Sequence, residues 1–228
     1  MKSLFPVSLA LALPLAAQEP AAGRSVWSFS LFTGTSFGGP SRVMGDHLSA
    51  EGWTQTGCNT KGIDCHSNPV VSRPRLQFAA NLGRRLGRRL EAQLIVAGAN
   101  LGAASGQLDD VEVHASWVVN SLGAVLLFKQ GELLRLGGGP LIAMLKGATP
   151  AYTSTFVWRT GLLLESGLRA SVGRPFFLDL SVSYRRMGKR KEGPWPTRHF
   201  NAIGDGGPSP LALDYSHLSV GLGFGARI

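Results

Sequence analysis

Residues 154–187, STFVWRTGLLLESGLRASVGRPFFLDLSVSYRRM, decide the fold because apolar and polar side chains alternate along most of their length. The alternation predicts two long strands joined by a tight turn at Gly173-Arg174-Pro175. Successive side chains of a strand point to opposite faces, so one face of this hairpin is apolar and the other is polar. The apolar set is Phe156, Trp158, Leu162, Leu164, Leu168, Val172, Phe176, Leu178, Leu180, Val182 and Tyr184.

The rest of the chain repeats this hairpin and predicts six further strands. They lie at about 26–37, 73–83, 88–101, 110–128, 132–146 and 213–228. Tight turns near 84–87, 129–131 and 173–175 alternate with longer or more polar loops at 38–72, 102–109, 147–153 and 188–212. Short turns at one end and long loops at the other are typical of outer-membrane barrels. The predicted fold is therefore all-β, an eight-stranded antiparallel up-and-down transmembrane β-barrel.

The polar face is expected to line the interior of this barrel. It consists mainly of Gly, Ala and Ser, which fit the narrow lumen of eight strands, whereas a water-facing sheet would use Lys, Glu and Thr. An arginine on the lipid face would cost about 2–4 kcal/mol near the membrane midplane. A soluble barrel is the alternative reading. The predicted lumen network is Arg75, Glu91, Glu112, His114, Arg135, Arg159, Glu165, Arg169, Asp179, Arg185, His217 and Arg227.

Strand 110–128 is the one whose phase the pattern leaves open. Its first half places Trp117 and Val119 on the apolar, outward face and Ser116 and Asn120 on the lumen face. Residues 122–128 are apolar at nearly every position, and a bulge would fit there.

The N-terminal residues predict export. Residues 1–17 combine Lys2, an apolar segment and Ala16-Ala17, as in a cleaved signal peptide, and leave a linker at 18–25 and a barrel at 26–228. Cys58 and Cys65 share one polar loop, and an oxidising compartment favours a disulfide between them. A metal site is the alternative, but the regular ligand spacing of such sites is missing.

The charge of the chain points to anionic surfaces. The net charge is +9, although only 16% of the 228 residues are charged, and many of the cations form short clusters. Lys189, Arg190, Lys191 and Arg198 are candidates for contact with lipopolysaccharide phosphates; a solvated loop is the other reading. No nucleic-acid motif is present, so we expect no nucleic-acid partner, and we expect a monomer without a cofactor.

The chain resembles small outer-membrane barrel proteins of the OmpA/OmpX, opacity-protein and OmpW type. The resemblance covers about 26–228 and rests on the signal peptide, the eight strands, RLGGGP at 135–140 and VGLGFGARI at 220–228. It implies an outer-membrane location in a Gram-negative-type bacterium and insertion by the barrel-assembly machinery. The final residue is Ile228, where such proteins usually end in Phe.

Three functions follow from this resemblance and from the residues. We expect a non-enzymatic anchor that displays loops 38–72 and 188–212 for surface interaction, with a satisfied lumen network rather than an open pore. Passage of small hydrophobic molecules is the alternative, as in the OmpW type. A lipid A acyl hydrolase is a third, because His217-Leu218-Ser219 is similar to the His-x-Ser pair of lipid A deacylases. Val220 stands where that family has Asn, and no acidic residue follows.

Overall fold

The computed structural model describes residues 27–50, 70–71, 76–108, 111–131, 133–148, 156–192 and 211–228. Within these ranges the chain is almost entirely β-strand. The long strands are β1 (Trp27–Gly38), β3 (Leu76–Arg85), β4 (Leu90–Leu108), β5 (Val111–Gln130), β6 (Leu134–Ala148), β7 (Phe156–Gly173), β8 (Phe176–Arg186) and β11 (His217–Arg227). The shorter elements are α1 (Pro40–Ala50), β2 (Val70–Val71), β9 (Lys189–Glu192) and β10 (Leu211–Asp214). No helix in these ranges has the length and apolarity needed to cross a membrane.

The eight long strands form a ring. Their order is β4-β3-β1-β11-β8-β7-β6-β5, and the pairing of β5 with β4 joins the two ends of that order. Every pairing is antiparallel. The first and last strands meet along their length, from Ser28 opposite Arg227 to Gly38 opposite His217. The predicted eight-stranded antiparallel up-and-down barrel is confirmed.

The outer wall of the ring is apolar. Large side chains such as Leu31, Phe78 and Trp158 are 58%, 61% and 68% exposed, and similar side chains face outward from each long strand. Ser30, Asn81 and Asp179, on the opposite parity, are buried inside. The predicted assignment of the two faces is therefore confirmed for most strands. An apolar wall around a ring of hydrogen-bonded strands is the arrangement a membrane requires.

The interior is divided lengthwise into an apolar half and a polar half. Val119, Val125, Leu127 and Leu141, from β5 and β6, are each at most 3% exposed and belong to one apolar cluster. The polar half is lined by β1, β3, β8 and β11, whose buried members include Ser28, Ser30, Ser36, Gln77, Asn81, Asp179, Ser183, Arg185, His217 and Ser219.

The two ends of the barrel differ. At the turn end the tight turns 86–89 and 174–175 lie beside the C-terminal residue, where the Ile228 amide donates to the Trp27 carbonyl at 3.0 Å. At the opposite end, the cap end, α1 and the β9–β10 hairpin fold over the lumen. Met44 and Leu48 of α1 are fully buried in the apolar cluster that also contains Leu213 and Tyr215.

Three of the predicted loops are partly regular structure. Segment 38–72 contains α1 and β2, and segment 188–212 contains β9 and the first two residues of β10. Gly38 and Gly39, both at positive φ, end β1, and Pro40 then opens the helix in the position where a missing amide costs nothing. The predicted loop 102–109 is instead nearly all strand, because β4 and β5 continue to Leu108 and from Val111 and pair with each other.

The predicted phase of the first half of β5 is wrong. Trp117 and Val119 are buried in the lumen at 0% and 1% exposure, whereas Asn120 is exposed on the outside. The prediction fails because β5 lines the apolar half of the interior. Its inward face is therefore as apolar as its outward face, and alternation does not distinguish the two. The phase then runs unbroken through 121–128, and the register shift lies in the partner strand, between Asn100 and Ala103.

Candidate functional site

The turn end of the lumen holds a cluster of five charged side chains, hereafter the charge cluster. Five consecutive strands, β4 to β8, contribute one member each: Glu91, Lys129, Arg135, Arg169 and Asp179. Arg169 binds Asp179 through two parallel contacts of 2.8 and 2.9 Å. Arg135 Nη2 lies 2.8 Å from the same carboxylate. Each carboxylate thus serves more than one cation, and the cluster spans the lumen from β4 to β8.

Glu91 is the second anchor of the charge cluster. It pairs with Lys129, lies 3.5 Å from Arg169 Nη1, and accepts a hydrogen bond of 2.6 Å from Gln93 Nε2. Arg169 also stacks over Phe177, with its guanidinium carbon 3.9 Å from the ring centroid. Buried charges of this kind must be paired and hydrogen-bonded, because removing one partner leaves a charge without water or counter-ion. The charge cluster therefore fills and fixes this end of the lumen.

A second polar group lies in mid-lumen around a small cavity. The cavity measures about 10 Å³ and is lined by side chains that include Gln77, Asn81, Glu165, Arg185 and Ser219. Arg185 Nη1 donates to Ser183 Oγ at 3.0 Å and to Ser219 Oγ at 3.2 Å. Arg185 is 2% exposed, so these hydroxyls hold it within the barrel.

His217 and Ser219 do not form a nucleophile–base pair in the described part of the chain. His217 Nδ1 lies 3.1 Å from the Tyr215 carbonyl, and the described partner of Ser219 Oγ is Arg185. Both side chains are buried in the lumen, at 1% and 2% exposure. A serine nucleophile needs a base within hydrogen-bond reach and access to its substrate. Neither feature is present around Ser219 in the described residues.

Two predicted network members belong neither to the charge cluster nor to the mid-lumen group. Arg159, near the cap end of β7, and Arg227, at the turn end of β11, are half-exposed and form no ion pair within the described residues. Glu165 and Arg185 instead face the mid-lumen cavity. The network predicted as one is thus two groups at different depths.

The remaining predicted site residues lie partly beyond what the structure describes. Lys189 and Lys191 are exposed on β9, and Arg190 between them is half-buried. Glu112 and His114 are in β5, opposite Gln107 and Ser105, without a description of their side chains. The predictions that fall outside the described residues concern Arg75, Cys58, Cys65 and Arg198, together with the signal peptide 1–17 and the linker 18–25.

Sequence reasoning missed three residues of the turn end. Lys129 was predicted as part of a turn, whereas β5 extends to Gln130 and keeps Lys129 on the inward parity of Leu127. Gln93 lies on the same face as Glu91 and donates a hydrogen bond to it, a role that the alternation alone does not reveal. Phe177 interrupts the alternation next to Phe176, and it is fully buried beneath Arg169. Extending the inward parity of Asp179 back to the start of β8 would have found Phe177. The same rule fails for Lys129, because the predicted phase of β5 turns its odd-numbered residues outward.

Two outward-facing cation–aromatic pairs mark the rims of the apolar wall. Near the cap end, Lys146 Nζ lies 5.2 Å from the centroid of the Phe156 ring. At the turn end, the Arg84 guanidinium lies 5.2 Å from the centroid of the Trp27 ring. Aromatic girdles and long cations that reach the headgroups are typical of the two interfaces of a membrane barrel. The apolar wall therefore has an upper and a lower margin.

Ring, faces and rims together define the class of transmembrane eight-stranded β-barrels. No protein-family model and no curated protein matches the chain. Among solved structures, the chain is similar to the outer membrane protein OprG from Pseudomonas aeruginosa, at 11% identity over 90% of this chain and 99% of that one, with a TM-score of 0.48. It is also similar to Ail, the attachment invasion locus protein of Yersinia pestis, at 14% identity over 89% and 99% of the chains, with a TM-score of 0.40. Neisserial surface protein A is similar at 10% identity over 89% and 97%, with a TM-score of 0.43.

Proposed function

We propose that the mature protein is a monomeric, non-enzymatic barrel of the outer membrane that displays segments 38–72 and 188–212 for surface interaction. The observation that supports this role is the filled interior. The charge cluster occupies the turn end, and α1 packs with the β9–β10 hairpin over the cap end. A barrel filled in this way serves as an anchor rather than as an open pore.

The proposed orientation places the turn end in the periplasm and the cap end outside the cell. Outer-membrane barrels have short periplasmic turns and longer external loops. The outward residues of β8 from Phe176 to Tyr184 are all apolar, and the first outward charge beyond them is Arg186. Nine residues match the roughly 9–11 that a tilted strand needs to cross a bilayer. The signal peptide 1–17 and the assembly machinery, which would recognise the last strand, supply the route of export.

Surface labelling tests the location and the orientation together. An epitope inserted in segment 193–210 should bind antibody on intact cells, whereas the same epitope in turn 86–89 should bind only after the outer membrane is permeabilised. Labelling of the turn on intact cells would contradict the orientation. Recovery of the protein in the soluble periplasmic fraction would contradict the membrane location.

Conductance separates an anchor from a channel. The purified protein, reconstituted in planar bilayers, is expected to show no stable ion conductance, because the charge cluster and the cap fill the lumen. Sustained unitary currents from the native chain would contradict the anchor. Before the recordings, the reconstituted protein should be shown to be folded and inserted. An absence of current then reflects a closed lumen rather than failed insertion.

Passage of small hydrophobic molecules is the second candidate, favoured by one feature of β7. This strand pairs with β6 from Phe156 onward but with β8 only from Leu162, so within the described residues its segment 156–160 has no partner on the β8 side. The apolar half of the lumen lies behind this part of the wall. Faster uptake of a hydrophobic fluorescent dye by cells that produce the protein would support passage, and equal uptake would favour the anchor alone.

A further inference from the structure

The turn end of the barrel carries six arginines, hereafter the arginine rim, that the proposed anchor role does not use. They lie in turns or at the ends of strands, and the members are Arg84, Arg85, Arg88, Arg89, Arg174 and Arg227. All six are exposed or half-exposed, and none forms an ion pair within the described residues. The strands that carry them belong to one run of neighbours, β4-β3-β1-β11-β8-β7, so the arginine rim occupies a single arc of the ring.

The barrel does not compensate the charge of this arc. The acidic side chains described at the turn end are Glu91 and Asp179, and both are already shared by the three cations of the charge cluster. The six arginines and those three cations therefore face two carboxylates, or three with the terminal carboxylate of Ile228 included. Such an excess of one sign attracts anions from outside the chain.

The arginine rim lies at the margin of the apolar wall. Arg84 stacks over the outward ring of Trp27, with its guanidinium 5.2 Å from the ring centroid. On the next two strands of the arc, Phe176 and Phe224 stack on each other with centroids 5.5 Å apart, and Ile228 is 73% exposed. A phospholipid presents the same order of chemistry, with acyl chains beside the apolar wall and a phosphate at its margin.

The residue type indicates which anion the arc suits. The arginine rim contains no lysine, whereas the exposed cations of β9 at the cap end are Lys189 and Lys191. Arginine presents a planar fork that binds two phosphate oxygens through parallel hydrogen bonds, and it is more weakly hydrated than lysine. Phosphate at the membrane interface is therefore a fitting ligand for these side chains.

We propose that the arginine rim is a binding surface for anionic phospholipid headgroups, such as phosphatidylglycerol, in the leaflet that surrounds the turn end. The assignment to the periplasmic leaflet rests on the proposed orientation, in which lipopolysaccharide belongs to the opposite leaflet. The bound headgroups supply the counter-charge that the chain lacks at this end. They also hold the turn end at a fixed depth in the membrane.

Quenching by brominated lipid tests the lipid composition at each margin. The vesicles contain equal amounts of phosphatidylglycerol and phosphatidylcholine, and only one of the two carries brominated chains. In a single-tryptophan variant that keeps Trp27, the quenching should indicate a local excess of phosphatidylglycerol of about fivefold, the factor that about 1 kcal/mol of attraction by one arginine produces. In the variant that keeps Trp158, near the cap end, the two brominated lipids should quench about equally. Equal quenching of Trp27, or the same preference at Trp158, would overturn the proposal.

Substitutions assign the preference to the arginines. Arg84 lies opposite Trp27 and Arg227 opposite Ser28, so Arg84→Gln with Arg227→Gln should reduce the excess at Trp27 by roughly half or more. Lys189→Gln with Lys191→Gln removes the same charge from the cap end and should leave that excess unchanged. An unchanged excess in the arginine variant, or an equal loss in both variants, would overturn the proposal.

The quenching data also separate this site from the proposed function. Quenching of Trp27 and Trp158 by both lipids, without a preference for phosphatidylglycerol, would leave the membrane barrel in place and remove the site. Absence of quenching of either tryptophan by either lipid would contradict the membrane barrel, and the site with it.

Discussion

Arg169 and Asp179 face each other directly across the β7–β8 hairpin and are joined by two hydrogen bonds, Nε to Oδ1 at 2.8 Å and Nη2 to Oδ2 at 2.9 Å. The two residues are only ten apart in sequence, and the tight turn between them brings them into register. Asp179 is fully buried, and its carboxylate also forms an ion pair with Arg135. This one carboxylate is therefore the counter-ion of two arginines from neighbouring strands.

Asp179→Asn should lower the free energy of unfolding by about 3–5 kcal/mol, because it leaves two buried guanidinium groups without their carboxylate. Urea unfolding of the barrel in lipid vesicles, followed by tryptophan fluorescence, measures the change. Asp46→Asn, at an exposed position of α1, is the matched control and should stay within about 0.5 kcal/mol. Equal effects of the two substitutions would show that the charge cluster does not stabilise the fold.

The cost of a charge on the outer wall should depend on its depth in the membrane. Leu180 lies outward at the middle of β8 and is 45% exposed, so Leu180→Arg should cost about 2–4 kcal/mol in a bilayer. Leu86 has the same exposure but lies in a turn beyond the apolar wall, and Leu86→Arg should cost about 0–1 kcal/mol. Unfolding in vesicles measures both. A soluble barrel would tolerate the two arginines alike.

The inward phase of β5 can be read from tryptophan fluorescence. Single-tryptophan variants that keep either Trp117 or Trp158, with the other four tryptophans changed to Phe, differ only in which face of the wall carries the fluorophore. Brominated lipid should quench Trp158, which is 68% exposed to the outside, and should leave Trp117 nearly unquenched. Strong quenching of Trp117 would show that it faces lipid, as the sequence pattern predicts, and would contradict the inward phase of β5.

The glycines of RLGGGP allow close contact between β6 and β5. A Cβ at Gly139 would lie 1.9 Å from the Ala124 carbonyl oxygen, which is backbone and has little freedom to move. Gly139→Ala should therefore destabilise the barrel by about 1–3 kcal/mol, as overpacking does. Gly87→Ala is the control, since a Cβ there meets nothing within 4 Å. The difference between their urea midpoints checks the prediction, and identical midpoints would refute it.

The proposed contact with lipopolysaccharide rests on Lys189 and Lys191, which are exposed on β9 at the cap end. The double substitution Lys189→Gln with Lys191→Gln should reduce the gain in thermal stability that added lipopolysaccharide produces, because two phosphate partners are removed. Arg88→Gln with Arg89→Gln, at the turn end, removes the same charge and should leave that gain unchanged. Loss in both double variants would indicate an effect of net charge rather than of a site.

The sequence by itself determined the barrel and most of its facing. Period-two alternation with charges confined to one parity admits few arrangements, because an arginine facing lipid is costly and small residues suit a narrow lumen. The hairpin 154–187 shows this most clearly: Leu164 and Leu168 face outward, and Glu165 and Arg169 face inward, as predicted. The charges of the turn end were also identified from parity, apart from Lys129.

Where the alternation of apolar and polar residues stops, only the tertiary structure decided which side chains face the lumen. Trp117 and Val119 face inward because they pack in the apolar cluster that α1, β4 and β6 complete, and nothing local to β5 contains that information. Helix α1 is held over the cap end by Leu213 and Tyr215, more than 160 residues away in sequence. The division of the predicted network into a charge cluster at the turn end and a second group in mid-lumen likewise depends on depth in the barrel. Depth is set by strand register, which parity alone does not specify.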